Sequence, residues 1–189
     1  PYGYGGPITN CPEDIDFLNS SIKKFKELAL KEKIVAGIFR FSPYLSEKCI
    51  YNIKSIEKIY SSKTVILNIN NEKNYESIFK KYSKDIKTRI KKNKNSYLIS
   101  NEINAIQRFY NIYNKRMLDH NADESYFFEK EYFDKIGLLN ENFWKIIEIY
   151  NDTKIIGGAI ILQNRNYCNI HLSSSLKEFF KLSPNVIIR

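Results

Sequence analysis

The sequence has 189 residues, 43% of them hydrophobic and 14% aromatic, which excludes a disordered chain and supplies enough apolar surface for one large domain or two small lobes. A formal charge of +9, with Lys outnumbering Arg 24 to 6, fits either a polyanionic partner or a plain solvated surface. The abundance of Lys, Asn and Ile has the look of an AT-rich genome. No apolar run is long enough to span a membrane and no secretory leader is present, and Cys11, Cys49 and Cys168 are too scattered for a disulfide framework or a zinc site, so the expected location is the cytoplasm.

In chain order, residues 1–7, PYGYGGP, come first. Gly3, Gly5 and Gly6 free the backbone for positive φ, and Tyr2 and Tyr4 supply rigid contact area. The segment reads as a tight turn capped by aromatics or as a loop lining a substrate site. Pro12 suits a first helical position with Glu13 and Asp14 in the first turn, after which Ile15, Leu18, Ile22, Phe25 and Leu28 recur at helical spacing to near Lys33. Residues 34–41, IVAGIFRF, predict a strand broken at Ser42-Pro43. A short helix over 44–55 and a hairpin of 56–60 with 64–69 follow.

Residues 74–92 predict one long amphipathic helix, with Tyr75, Phe79, Tyr82, Ile86 and Ile90 as its core stripe. Lys80, Lys84, Lys87 and Lys91, continued by Arg89, Lys92 and Lys94, form a basic stripe that is either a solvated face or a phosphate-binding surface. A short strand over 96–100 and a helix over 102–119 come next, then an aromatic, partly helical stretch over 123–139.

Residues 143–175 predict an antiparallel meander: strands at 143–150, 155–162 and 167–172, with turns at Asn151-Asp152-Thr153 and Asn164-Arg165-Asn166. The middle strand, IIGGAIIL, is apolar on both faces, and Gly157-Gly158 inside it predicts a bulge or a close backbone approach. Alternation in the third puts Tyr167, Asn169, His171 and Ser173 on one face and Cys168, Ile170 and Leu172 on the core face. Ser183-Pro184-Asn185 reads as a helix start, a candidate anion or carbonyl-oxygen site beside that polar face.

Dinucleotide, Walker, zinc-protease, CxxC and nucleophile-elbow motifs are all missing from the sequence. Of the two histidines, His120 reads as a helix-end residue, and His171 as a general base or a histidine fixed by hydrogen bonds. Asp119, Asp123 and Glu124 cluster near one helix end, either to orient an ammonium or simply to be solvated.

Five stretches in order carry a resemblance: PYGYGGP, GIFRFSP (37–43), KDIKTRIKKNKN (84–95), FYNIYNKRMLDHNADESYFF (109–128), and IIGGAIIL followed by NIHLSSS and LSPN. Together they resemble the Fem-type branch of the GNAT acyltransferases, whose best-known members are bacterial aminoacyltransferases building peptidoglycan cross-bridges in the cell wall. The resemblance implies an α+β fold with a mixed, largely antiparallel sheet flanked by helices. It also implies two halves, 1–72 from the end of one GNAT-like half and 73–189 from the start of another, in a piece of a longer protein that by itself is folded but inert or still active.

The implied reaction is transfer of an acyl or aminoacyl group to an amine of an envelope precursor or sugar. By the same analogy Arg89 and Lys92 neutralise phosphates, Tyr2, Gly3, Tyr4 and Gly5 shape the acceptor pocket with Arg40 among the substrate-binding residues, and the strand face at His171 and Ser173 holds the reacting carbonyl. The acetyl-CoA loop of GNAT enzymes, R/Q-x-x-G-x-G/A, is replaced here by the glycine-free LSSSLKEFFKLSPN. That favours aminoacyl-tRNA over acyl-CoA as donor. The other reading is a non-catalytic module that binds RNA or an anionic glycan, and a homodimer formed by exchange of sheet edges is left open.

Overall fold

A computed structural model describes residues 4–41, 53–59, 66–69 and 75–188. The chain forms two compact units, Pro1–Asn68 and Ile69–Arg189.

In the first unit, helix α1 (Ile15–Lys31) starts three residues later than Pro12 predicts, because Asp14 is its cap: the Asp14 carboxylate accepts from the Phe17 N–H at 2.9 Å. Lys33 turns into the left-handed region (φ 58°), and the Ile34 N–H donates back to Ala29 O, which closes the helix end. Leu18 and Ile22 of α1 pack with Ile53 into a small core. Among the described residues, 34–41 form no strand ladder. The predicted strand is therefore corrected to a segment without regular structure, joined to the opening loop where the Gly5 N–H donates to Arg40 O at 2.8 Å. Gly6, at φ 146°, sits so close to the Phe41 ring that a Cβ would lie 2.7 Å from it. Most of the predicted 44–55 helix and the turn of the predicted hairpin lie outside the described residues. Described residues 53–59 and 66–69 contain no strand.

The second unit opens with two helices where one was expected, α2 (Tyr75–Lys81) and α3 (Lys84–Lys92). Ser83 makes the break: its hydroxyl accepts from the Ile86 N–H, restarting the helix, while Lys87 Nζ donates to Lys80 O at 2.7 Å across the joint. Strand β1 (Ser96–Ser100) and helix α4 (Ile103–Asp119) follow, then a 3-10 turn at Glu124–Tyr126 and helix α5 (Lys130–Gly137). The meander forms as β2 (Trp144–Asn151), β3 (Lys154–Gln163) and β4 (Cys168–Ser175), and β1 adds to its free side in an antiparallel sheet of order β1-β2-β3-β4. The fold is α+β, and no helix among the described residues is long and apolar enough to cross a membrane.

Helices α4 and α5 cover one face of the sheet. Ala105, Ile106, Phe109 and Tyr113 recur at helical spacing along α4 and meet Phe133 and Ile136 of α5 over Trp144, Ile146, Ile160 and Leu172 of the strands. Phe109 and Phe133 stand 6.4 Å apart, and Tyr132 meets Phe133 edge-on at 5.5 Å. Gly158 is what lets α4 and β2 approach β3: a Cβ there would lie 2.5 Å from Ile147 O and 3.2 Å from Phe109. The close approach expected at the glycine pair is thus present.

Candidate functional site

A cleft of about 350 Å³ lies within the second unit, between α3 and the turns that follow β4. Asp85, Ile86 and Arg89 form the α3 wall; Ser175 forms the floor; Phe180 and the run Ser183, Pro184, Asn185 and Val186 form the opposite wall. The floor belongs to the sheet face turned away from α4. Ser174 is opposite Gly158, whose missing Cβ would point at Phe109 of α4, so alternation turns Ser173 and Ser175 the other way.

The far wall is held by a set of asparagines. Ser183 is left-handed (φ 50°, ψ 51°), a conformation that costs free energy in a residue with a side chain. Asn93, immediately after α3, donates its amide to Leu182 O and to Ser183 O, each at 3.0 Å, and Asn95 donates to Leu182 O at 3.2 Å. Asn95 in turn accepts from Asn151 of β2 at 3.4 Å. Where a helix start was expected, the described residues show Ser183 opening a 3-10 turn, Pro184–Val186. The charged side chains of the cleft are Arg89, half-exposed, and Asp85 one turn before it, whose carboxylate lies 3.0 Å from the Arg89 Nε.

The alternation expected along β4 fails at His171. Ile160 faces Leu172 and Ile161 faces Ile170, so His171 is the extra residue of a β-bulge. Its Nε2 meets the Tyr132 hydroxyl of α5, on the helix side of the sheet, whereas Ser173 is exposed on the other. Burial lowers the His171 pKa below the usual histidine range, so the imidazole is neutral at pH 7. Ile170, expected in the core, is 46% exposed for the same reason.

A second polar constellation went unread in the sequence. Glu148 of β2, 1% exposed, receives both arms of the Arg108 guanidinium of α4, at 2.7 and 2.8 Å, and a longer bond from the Tyr150 hydroxyl at 3.2 Å. The carboxylate raises the Arg108 pKa, and burial followed by the Glu148 charge raises that of Tyr150. Arg108 and Tyr150 are therefore held in their protonated forms, and the trio ties α4 to the sheet.

Of the sequence-predicted residues that the structure describes, Arg89 lines the cleft, as do Ser183, Pro184 and Asn185 of the expected helix start. Lys92 is exposed on α3, and Ser173 shares the sheet face of the floor; His171 is turned to the opposite side. Gly5 and Arg40 are brought together by their backbone bond in the first unit, with Tyr4 exposed beside them, while Tyr2 and Gly3 lie outside the described residues. The residues that sequence reasoning missed are Asn93 and Asn95. Their only signal is a break in the lysine run, K-N-K-N, immediately after the helix.

No model of a known protein family matches this chain, and no curated protein matches it.

Proposed function

We propose that the chain belongs to an acyl- or aminoacyltransferase of the Fem-like kind, acting in the cytoplasm on an amine of a cell-envelope precursor or sugar, with the cleft receiving the phosphate-bearing part of a substrate. The observation that carries this reading is the position of Arg89. The residue that the resemblance assigns to phosphate forms one wall of a cleft whose floor is the end of β4 and whose far wall is a turn fixed by asparagines. A planar guanidinium is suited to a phosphate or carboxylate, and Lys92 on the same helix adds a second cation.

An aminoacyl ester is already activated, so its transfer needs alignment and a donor for the tetrahedral oxyanion more than a nucleophile on the protein. A neutral His171 packed against Tyr132 is consistent with that economy: its role is to fix β4 against α5, and the proposed chemistry relies on positioned substrate groups. Tyr2, Gly3, Tyr4, Gly5 and Arg40 are proposed to shape the amine acceptor's site. The glycine-free turn after β4 favours aminoacyl-tRNA as donor over acyl-CoA.

A second reading, a non-catalytic module for RNA or an anionic glycan, is favoured by the exposure of Lys84, Lys91 and Lys92 along α3. Titration of the protein with charged tRNA, uncharged tRNA and acetyl-CoA at two salt concentrations separates the readings. Preferential, salt-sensitive binding of charged tRNA that falls about tenfold or more in Arg89→Glu/Lys92→Glu supports the transferase. Equal binding of both tRNAs supports the module, and saturable acetyl-CoA binding returns the protein to CoA-dependent chemistry. No binding of any of the three rejects the transferase and the RNA-binding form of the module.

A further inference from the structure

Among the described residues β1 is an edge strand, paired to β2 on one side only and without the usual protection of such an edge. It contains no charge, no proline and no bulge in its register, and Tyr97, Leu98 and Ile99 are 60%, 47% and 53% exposed. Its sequence context is also self-complementary. Around Leu98 the chain reads Lys94-Asn95-Ser96-Tyr97-Leu98-Ile99-Ser100-Asn101-Glu102, so that reversal about Leu98 matches Ser with Ser, Asn with Asn, an aromatic with a β-branched residue, and a cation with an anion.

We propose that two copies of this chain pair β1 to β1, antiparallel, about a two-fold axis through Leu98. In that register Leu98 faces its own copy, Tyr97 faces Ile99 of the second copy, and Ser96 faces Ser100. The aromatic and β-branched pair is a favoured cross-strand neighbour. Lys94 falls opposite Glu102, twice by symmetry; both residues are exposed, and Glu102 is still in extended conformation as the cap position of α4. Backbone geometry is equally permissive. Positions paired about a single central residue differ by an even number, so a residue whose N–H and C=O point away from β2 always meets one that also points outward. The two four-stranded sheets then become one continuous sheet, and the exposed Tyr97 and Ile99 of each copy gain apolar neighbours.

The test is sedimentation equilibrium of the full chain, with far-UV circular dichroism as the control for folding. The wild type is expected to dimerise at micromolar concentration. Leu98→Lys, which sets two cations together on the axis, is expected to be monomeric with an unchanged spectrum. Lys94→Glu is expected to weaken the dimer about tenfold by placing like charges opposite each other twice, and Lys94→Glu/Glu102→Lys to restore it. In a background with Cys11, Cys49 and Cys168 replaced by Ser, Leu98→Cys is expected to cross-link to its own copy and Tyr97→Cys to fail. A wild type that stays monomeric at 100-fold higher concentration overturns the proposal, whether β1 is covered by another segment of its own chain or reserved for a different protein. A dimer indifferent to Leu98→Lys, or a charge swap without rescue, overturns this register.

Discussion

Residues 34–41 of the first unit and strand β3 of the second unit are alike as sequence, both short, apolar and rich in β-branched residues, yet they end differently. β3 has a hydrogen-bonded neighbour on each side, and Ile156, Ala159 and Ile160 are completely buried. Residues 34–41 form no strand ladder among the described residues, with Val35 99% and Ile38 95% exposed. Propensity names the residues that tolerate a strand, and a ladder partner with a covering layer makes the strand. The second unit supplies both, with α4 and α5 over its sheet. In the first unit the described core is Leu18, Ile22 and Ile53 beside a single helix.

This contrast can be broken from the strong side first. Phe133→Ala, at the centre of the aromatic cluster and fully buried, is expected to destabilise the second unit by about 3–5 kcal/mol in urea unfolding followed by Trp144 fluorescence. Arg108→Met is expected to cost about 3 kcal/mol, because it leaves the Glu148 carboxylate buried without its cation. Glu148→Gln should cost less, since the Arg108 side chain is 40% exposed and can turn to water. A result in the opposite order would show that the pair is not held as described.

In the first unit the largest local effect should come from the cap. Asp14→Ala removes the side-chain bond that caps α1 and is expected to cost that helix about 1 kcal/mol, visible as faster amide exchange in its first turn with the exchange of β3 unchanged.

The smallest effect is a pH dependence. His171 is held below its unfolded pKa of 6.5, so the unfolded chain binds the extra proton first. The His171 contribution to stability is complete above pH 6.5 and is lost as pH falls through the lowered folded value. The fall in Tm between pH 7.5 and pH 5 should therefore be shallower in His171→Gln than in the wild type.

Much of the second unit was legible. The meander, its turns and the glycine contact follow from period-two patterning and turn residues, which act over a few neighbours. What escaped depends on distant partners. Nothing local in NIHLSSS announces that β4 must absorb an extra residue, yet the bulge decides which side His171 faces. Ser83 reads as one polar residue in a long helix, and only the bond from Lys87 to Lys80 O shows it as a joint between two. Glu148 fell in a predicted strand whose sequence said nothing of Arg108, 40 residues earlier. Of the candidate site, Arg89 was found because its charge is visible in the sequence. Asn93 and Asn95 were missed because a neutral amide gains its meaning from carbonyls nearly 90 residues away.

That separation has a kinetic consequence. Helix α3 and the β-hairpins are built from near neighbours, but the bond from Asn93 to Ser183 closes a loop of 90 residues. During synthesis α3 leaves the ribosome long before its carbonyl partners exist, and Ser183 has no reason to adopt its left-handed turn until it docks against Asn93. The cleft is then the last part of the second unit to take shape, so a chain stalled or cut shortly before residue 183 would carry a finished sheet and an incomplete cleft.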